Sequence, residues 1–387
     1  MDTERAATPL SAIVEATIRN SGRRAYANGP HEAELSAISF HHYMSLCLYH
    51  PEYGYYRSGV SRIGRDGDFY TSAYVGDAMG EQLAESIATM ASDSFPGDGP
   101  VDVVDWGGGT GKLGAQMLEG WRSLGEAGNR FTLTLIDGNP EHRQEASRRL
   151  APYIAAGSAR VAAELPEPLA GRATRPVIVV ANELLDAFPV HRIVVKDGAV
   201  KEWGVAWDDN AGAPASCLLS DSDRDWAGWL SEHGVTLAEG QTFEVGLDAA
   251  EWVRSLADRL PRALLVLIDY GDESAELSAP HRMEGTLLCY AKHRAHDDPY
   301  ADPGEQDMTA HVNFSHMRQA AEAAGWRQRW YGTQKRFLVE SGIMNKLSEH
   351  NIADPFHPVA RRNRAIRQLL LSDGMSELFK VQIFEKP

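Results

Sequence analysis

Val101-Asp102-Val103-Val104-Asp105-Trp106-Gly107-Gly108-Gly109-Thr110-Gly111 is the stretch that decides the fold. An apolar run stops on an acid and turns through closely spaced glycines into a helical segment. Val101 to Val104 reads as a buried parallel strand, and the glycines free the backbone for a tight turn while removing side chains that would keep a ligand away. Asp105 sits at the carboxyl end of that strand, the end that faces the ligand crevice in an open α/β sheet. The turn predicts a nucleotide-like cofactor. A dinucleotide requires Gly-x-Gly-x-x-Gly with its pyrophosphate on the helix N-terminus, whereas here the third glycine, Gly111, comes one residue early. Gly111-Lys112 is followed by Leu113, so the Gly-Lys-Ser/Thr ending of a phosphate loop is missing as well.

Phe131-Thr132-Leu133-Thr134-Leu135-Ile136-Asp137 is a second apolar run ending on an acid. It begins about twenty residues after Gly111, the length of one crossover helix. Asp137 is placed to accept hydrogen bonds from both hydroxyls of a ribose, while Asn139-Pro140 reads as a helix cap and first helical position. Written Asp105-x-Gly107-x-Gly109-x-Gly111, the first turn resembles the S-adenosylmethionine loop of class I methyltransferases.

Strands alternating with helices along the chain predict an α/β, doubly wound sheet. Leu10 to Ile18 and Phe40 to Leu48 have helix-like apolar spacing, Gly64 to Ser72 is too rich in glycine and charge for a regular element, and a helix is expected from about Val75 to Met90. Farther on, a helix is expected near Pro140 to Leu150, with strands near Arg160 to Ala163, at Val177 to Ala181 and at Leu264 to Asp269. Ile193 to Val195 and Glu202 to Ala206 flank Lys196-Asp197-Gly198 and predict a hairpin, since Asp-Gly is a preferred two-residue turn. His296 to Asp307 is polar and too long for an ordinary connection, which points to a functional loop. Leu378 to Phe384 alternates apolar and polar residues, the pattern of an edge strand exposed on one face. This divides the chain into a helical N-terminal region, residues 1–95, and an α/β core, residues 96–387, carrying the hairpin and the long loop.

The formal charge of 38 Lys and Arg against 54 Asp and Glu is −16. That balance argues against a nucleic acid partner, which needs clustered positive charge; it suits a cationic target, and equally a simple need for solubility. Cys47, Cys217 and Cys289 lie far apart with no Cys-x-x-Cys pair, so no metal site is expected and a reducing compartment is. The N-terminus has no basic end followed by an apolar stretch, and no long apolar span is visible. A cytoplasmic protein without membrane contact is the expectation.

Five motifs occur in one order: Gly67-Asp68-Phe69-Tyr70-Thr71-Ser72, Asp105 to Gly111, Ala181-Asn182-Glu183-Leu184-Leu185-Asp186-Ala187-Phe188-Pro189-Val190, Ile268-Asp269-Tyr270-Gly271, and Pro303-Gly304-Glu305-Gln306-Asp307-Met308-Thr309-Ala310-His311-Val312. Together they resemble, over most of the chain, the MidA-like methyltransferases, whose mitochondrial members are complex I assembly factors that methylate protein arginine. The resemblance implies a class I methyltransferase (Rossmann-like) sheet with a helical N-terminal region and insertions. It also implies S-adenosyl-L-methionine as cofactor, held by Asp68, Thr71, Asp105, Gly107, Gly109, Gly111, Asp137 and Asn182. Three departures stand out. The family loop commonly reads Glu-Leu-Gly-Pro-Gly-x-Gly, Asn313 stands where Asp is frequent, and His41-His42 precede Tyr43 where a small or apolar residue is usual. Asp105 keeps the carboxylate, so the departures bear on the acceptor rather than the cofactor.

Methyl transfer from a sulfonium needs an in-line approach of a lone pair and little acid or base work, so positioning supplies most of the rate. Glu183 and Asp186 follow the Val177 to Ala181 strand, and at a spacing of three they can share one face of a helical turn. Two carboxylates there would hold a guanidinium through bidentate bonds and take its released proton. The same acids also suit a first helical turn capped by Asn182. Asp269 is similarly placed at a strand end. His311 is the candidate for proton transfer near neutral pH, or else a hydrogen-bonded structural residue. His41 and His42, and Tyr53, Tyr55 and Tyr56, are either functional or packed. The expected partner is a protein or small-molecule methyl acceptor, with a homodimer compatible. An O- or N-methyltransferase of small molecules and a scaffold protein binding S-adenosyl-L-methionine structurally are the alternatives.

Overall fold

The computed structural model describes residues 7–27, 34–57, 76–169, 175–291, 294–349, 354, 356–371 and 375–386. The chain forms two compact units, neither continuous in sequence. One comprises residues 61–184, 253–270 and 320–387, and the other residues 1–60, 185–252 and 271–319.

In the first unit seven strands of one sheet run in the order Ala159–Ala162, Phe131–Ile136, Val101–Trp106, Val177–Asn182, Ala263–Asp272, Phe379–Lys386, Arg327–Thr333. The first five are mutually parallel, and Phe379–Lys386 is antiparallel to both of its neighbours. Counted along the chain the order is 3-2-1-4-5-7-6. A dinucleotide sheet runs 3-2-1-4-5-6, so the difference is one reversed strand inserted between the fifth and the sixth. The order reverses beside Val101–Trp106 and Val177–Asn182, and a crevice at their carboxyl ends is where such sheets bind ligands. Val103, Leu133, Ile178, Val180, Leu264 and Val266 are wholly buried, as the continuous apolar runs required of strands covered on both faces. Helix Ala78–Ser94 packs on helix Lys112–Ser123, where a Cβ on Gly120 would lie 2.7 Å from that of Ala84. Trp121 Nε1 donates to the Ala84 carbonyl at 3.0 Å across the same contact.

The second unit is mainly antiparallel. Its strands run Thr242–Val245, His191–Lys196, Ala199–Asp208, Leu35–Ser39, Arg24–Tyr26, Ala213–Leu219, and the last pairs back onto Ala199–Asp208 to close a ring of four. The predicted hairpin is present, with Ile193 opposite Glu202 and both turn residues left-handed, Asp197 at φ 54° and Gly198 at φ 70°. A second sheet orders Arg294–His296, Leu288–Ala291 and Asp307–Thr309. The long polar stretch is tied down within this unit: Tyr43 OH donates to the Pro299 carbonyl at 2.9 Å, and Gln306 Nε2 to that of Asp298 at 3.1 Å. Gly271 and Asp272, at the end of the Ala263–Asp272 strand, pair here with Val312 and Asn313.

Three expectations are corrected. The compact units do not divide at residue 95, because Arg24–Tyr26 and Leu35–Ser39 are strands that complete a sheet with residues 191–245. The N-terminal region is therefore helical only in part. The last strand is no edge: Gln382 is wholly buried and donates to Gln328 at 2.7 Å, and buried Lys380 donates to the Glu377 carbonyl. The strand is paired on both sides, and Arg327–Thr333 takes the edge with the charged residues that keep an edge from pairing. Among the described residues no helix is long and apolar enough to cross a membrane.

Candidate active site

The glycine turn leaves the Val101–Trp106 strand at the crevice end of the parallel sheet. Gly107, Gly109 and Gly111 have φ of 75°, 53° and 77°, values that side chains beyond glycine rarely adopt. Gly111 is also the N-cap of helix Lys112–Ser123, so the turn delivers a helix N-terminus. Gly108 is crowded from beneath instead: a Cβ there would lie 2.8 Å from Asp105 Oδ2.

Asp105 is almost wholly buried, and its carboxyl is pushed up to about 7, by burial first and then by the charge of Asp137. Its Oδ2 lies under the loop, near the positions where Gly108 and Gly114 would carry a Cβ. The sequence places this acid at the crevice; the structure puts it in the floor. Asp137 accepts from the Gly109 N–H at 2.9 Å on Oδ2 and from the Asn139 N–H at 2.7 Å on Oδ1. Asn139 caps the following helix as expected, accepting from Glu141 N–H at 2.9 Å. Asp137 thus joins two loops, a task its spacing did not reveal.

Asn182 ends the strand next to the switch point, and Glu183 follows at φ 52°. The shared helical face expected for Glu183 and Asp186 is not formed, because Glu183 is left-handed and only Leu185–Ala187 makes a short 3-10 turn. Nor is Asn182 a cap: its Nδ2 donates to Glu183 Oε1 at 3.2 Å. Tyr270 OH donates to Glu183 Oε2 at 3.1 Å, so both carboxylate oxygens are oriented by neighbours. Asp269, fully buried, accepts from the Leu184 N–H at 3.1 Å and the Tyr270 N–H at 2.9 Å. It holds the strained turn by main-chain bonds, and such a conformation persists only where the surroundings over-determine it. Leu184 in turn covers Gly107, whose Cβ would sit 2.8 Å from Leu184 Cδ1. Asp105, Gly107, Gly109, Gly111, Asp137, Asn182 and Glu183 are therefore gathered at one end of one sheet.

Asp186 and His311 belong to the antiparallel unit. Asp186 is buried, and its carbonyl accepts the Ala310 N–H at 2.9 Å. Tyr56 OH donates to buried Asp307 at 2.7 Å. Burial pushes the Tyr56 and Tyr290 phenols up, and both feel the charges of Asp186 and Asp307, which marks these four as one group. The His311 N–H donates to Thr286 Oγ1 at 3.1 Å, and the residue lines a cleft of about 610 Å³ with Arg192, Trp203 and Tyr300. His41 is packed: its Nε2 lies 2.8 Å from Asp248 Oδ2, and its ring stacks on His191 at 4.5 Å. His42 is held below the ordinary histidine range by burial, with the neighbouring His41 and Arg23 adding to it. Asp68 and Thr71 lie outside the described residues; among the described residues no group of three acids, histidines or cysteines could hold a metal ion. Asp269 was legible as an acid at a strand end and Asp307 as a motif member; their bonding partners were not.

The family model for S-adenosyl-L-methionine-dependent methyltransferases matches residues 78–332. The chain belongs to this family. A superfamily member from Burkholderia thailandensis, solved bound to S-adenosyl-homocysteine, is 32% identical, covers 99% of this chain and 95% of its own, and superposes with a TM-score of 0.82. The protein arginine methyltransferase NDUFAF7 homolog of Drosophila melanogaster is 24% identical over 311 residues, 73% of this chain and 66% of its own. That of Homo sapiens is 25% identical over 366 residues, 81% of this chain and 76% of its own. The chain thus spans about two thirds to three quarters of these two curated relatives. The protein is a MidA-like, class I methyltransferase dependent on S-adenosyl-L-methionine. The site fits that cofactor. Its turn runs through three left-handed glycines, and Asn182 Oδ1 is a buried polar atom without a partner among the described residues.

Proposed function

We propose that the enzyme methylates an arginine guanidinium presented by another protein, and that Glu183 holds that guanidinium. The observation that carries this is the fixed carboxylate: Glu183 stands on a left-handed turn with Oε1 and Oε2 each oriented by a donor. A guanidinium offers paired N–H groups that match a carboxylate, so an oriented acid sets the plane of the acceptor without having to be ordered when it arrives. Bound S-adenosyl-L-methionine supplies an electrophilic methyl on a sulfonium. As the nitrogen–methyl bond forms and the sulfur–methyl bond breaks, the nitrogen sheds a proton to a carboxylate and then to water.

On the cofactor side Asp137 receives the ribose, the turn through Gly107, Gly109 and Gly111 lets the cofactor approach the main chain, and Asn182 Oδ1 takes a polar group. Asp105 supports the turn. The curated relatives carrying the name of protein arginine methyltransferases support this reading, as does an acidic chain for a cationic target. We place the enzyme in the cytoplasm, which suits three buried free thiols. A small-molecule acceptor is the second reading, favoured by the cleft that His311 shares with Trp203 and Tyr300. Incubation with methyl-labelled cofactor and host lysate, followed by mass spectrometry, decides between them. Label on methylarginine in a protein is expected, and label confined to small molecules overturns the arginine assignment.

A further inference from the structure

The helix after Asp137 carries a histidine that none of the motif residues explains. His142 stands at the third position of Pro140–Arg149 and is 3% exposed. Its Nδ1 lies 3.3 Å from Asp137 Oδ1, and its Nε2 is buried without a hydrogen-bond partner among the described residues. An ionised carboxylate only accepts, so a neutral imidazole in this place carries its hydrogen on Nδ1 and its lone pair on Nε2. A buried acceptor left unmet is unfavourable. A leucine would fill similar space without that penalty, so whatever the imidazole contributes, it contributes at Nδ1.

The bonds around Asp137 show what that contribution is. Each carboxylate oxygen has about two acceptor sites. Oδ1 accepts the Asn139 N–H at 2.7 Å and has His142 Nδ1 beside it at ion-pair distance, 3.3 Å. Oδ2 meets the Gly109 N–H at 2.9 Å, which leaves it one site, beside the glycine turn. Arg143, the next residue of the helix, reaches the Asp137 carbonyl at 2.9 Å, so among the described residues the side-chain donor facing the carboxylate is His142. We propose that His142 is a positioning residue for the cofactor's ribose: by occupying Oδ1 it fixes the carboxylate plane and leaves Oδ2 to receive a ribose hydroxyl.

This rests on Asp137 being the ribose acceptor, and the experiment separates the two claims. Calorimetry would measure binding of S-adenosyl-homocysteine, and of its analogue lacking both ribose hydroxyls, to the full-length protein and to His142→Leu, His142→Asn and Asp137→Ala. His142→Leu should melt no lower than the parent, yet bind S-adenosyl-homocysteine about tenfold more weakly, the scale of one charge-assisted bond. The analogue should hardly register the change. His142→Asn, whose amide nitrogen can stand in for Nδ1, should recover most of the loss. An equal loss with both ligands would mean that the ring merely supports the fold, and would overturn the proposal. Unchanged binding by His142→Leu beside weakened binding by Asp137→Ala would overturn it while leaving the ribose assignment standing. No loss in either variant would remove both.

Discussion

In the parallel-sheet unit, two acids of the site give their oxygens to the main chain, while Glu183 is held by the side chains of Asn182 and Tyr270. Asp137 accepts from Gly109 and Asn139, and Asp269 from Leu184 and Tyr270. In the antiparallel unit, Glu202 and Asp307 meet side-chain donors, while buried Glu244 also accepts the Thr286 N–H at 2.7 Å. Glu202 accepts from Ser222 OH at 2.7 Å and Trp226 Nε1 at 3.0 Å and lies 2.7 Å from His191 Nδ1, while Asp307 accepts from Tyr56 across 251 residues of chain. Main-chain donors come with a strand-turn-helix motif and travel with it. Side-chain donors arrive from wherever the fold brings them, so the second kind of site can be recomposed without disturbing the first. A conserved chemistry at the cofactor and a variable acceptor would exploit that division.

The largest effect that would sharpen this contrast is expected at Glu183. Glu183→Gln should keep its affinity for S-adenosyl-L-methionine while single-turnover transfer falls on the order of a hundredfold, the cost of losing one oriented charge-assisted contact. Normal transfer would remove Glu183 from the acceptor's site. Next comes Asp137→Ala, which removes bonds of roughly 1.5–3 kcal/mol each and should weaken cofactor binding by about tenfold or more. Unchanged affinity by calorimetry would show that the acid serves only to tie Gly109 to Asn139.

The smallest effects belong to the antiparallel unit and should appear in stability alone. Glu202→Gln should lower stability by about 2 kcal/mol, through one neutralised hydrogen-bond acceptor in a buried network, with cofactor affinity unchanged. A parallel loss of affinity in the same denaturation and binding series would break the separation of the two regions. The pH dependence carries a definite sign. Burial holds His191 below its ordinary value of 6.5 despite the opposing pull of Glu202, so the unfolded chain takes up a proton more readily than the folded one. Its contribution is present above 6.5 and is lost as the pH falls below it. Burial pushes Glu202 up, but the bonds from His191, Ser222 and Trp226 prevail and leave it below its ordinary 4.5, so its contribution is lost at lower pH again. Asp105, pushed up to about 7, acts with the opposite sign, so the two assignments are read as a difference: between pH 8 and pH 4 the parent should lose more melting temperature than a His191→Gln, Glu202→Gln double variant, and an equal change would contradict both.

The two strands ending on acids, the glycine turn and the Asn139 cap were all visible in the chain, because each depends on residues within one turn of another. The Asp197-Gly198 hairpin was visible for the same reason. Arg327–Thr333 was not, since an edge strand of this composition has no apolar rhythm, and Phe379–Lys386 was mistaken for an edge because its buried Gln382 finds Gln328 on a strand 54 residues earlier. Glu183 was legible as a candidate but not in its conformation. A left-handed glutamate has no local signature; its conformation is held by Ile268, Asp269 and Tyr270, from the neighbouring strand.

By itself, then, the sequence determined the cofactor side: hydrophobic period, strand-terminal acids and glycine spacing act over a few residues, and main-chain geometry does the rest. Only the tertiary structure decided how the carboxylates are held. Arg24–Tyr26 and Leu35–Ser39 joined residues 191–245 in one sheet, Tyr56 came to Asp307, and Tyr270 came to Glu183, because a buried polar group must find its partner in space, and no pattern along the chain records where that partner lies.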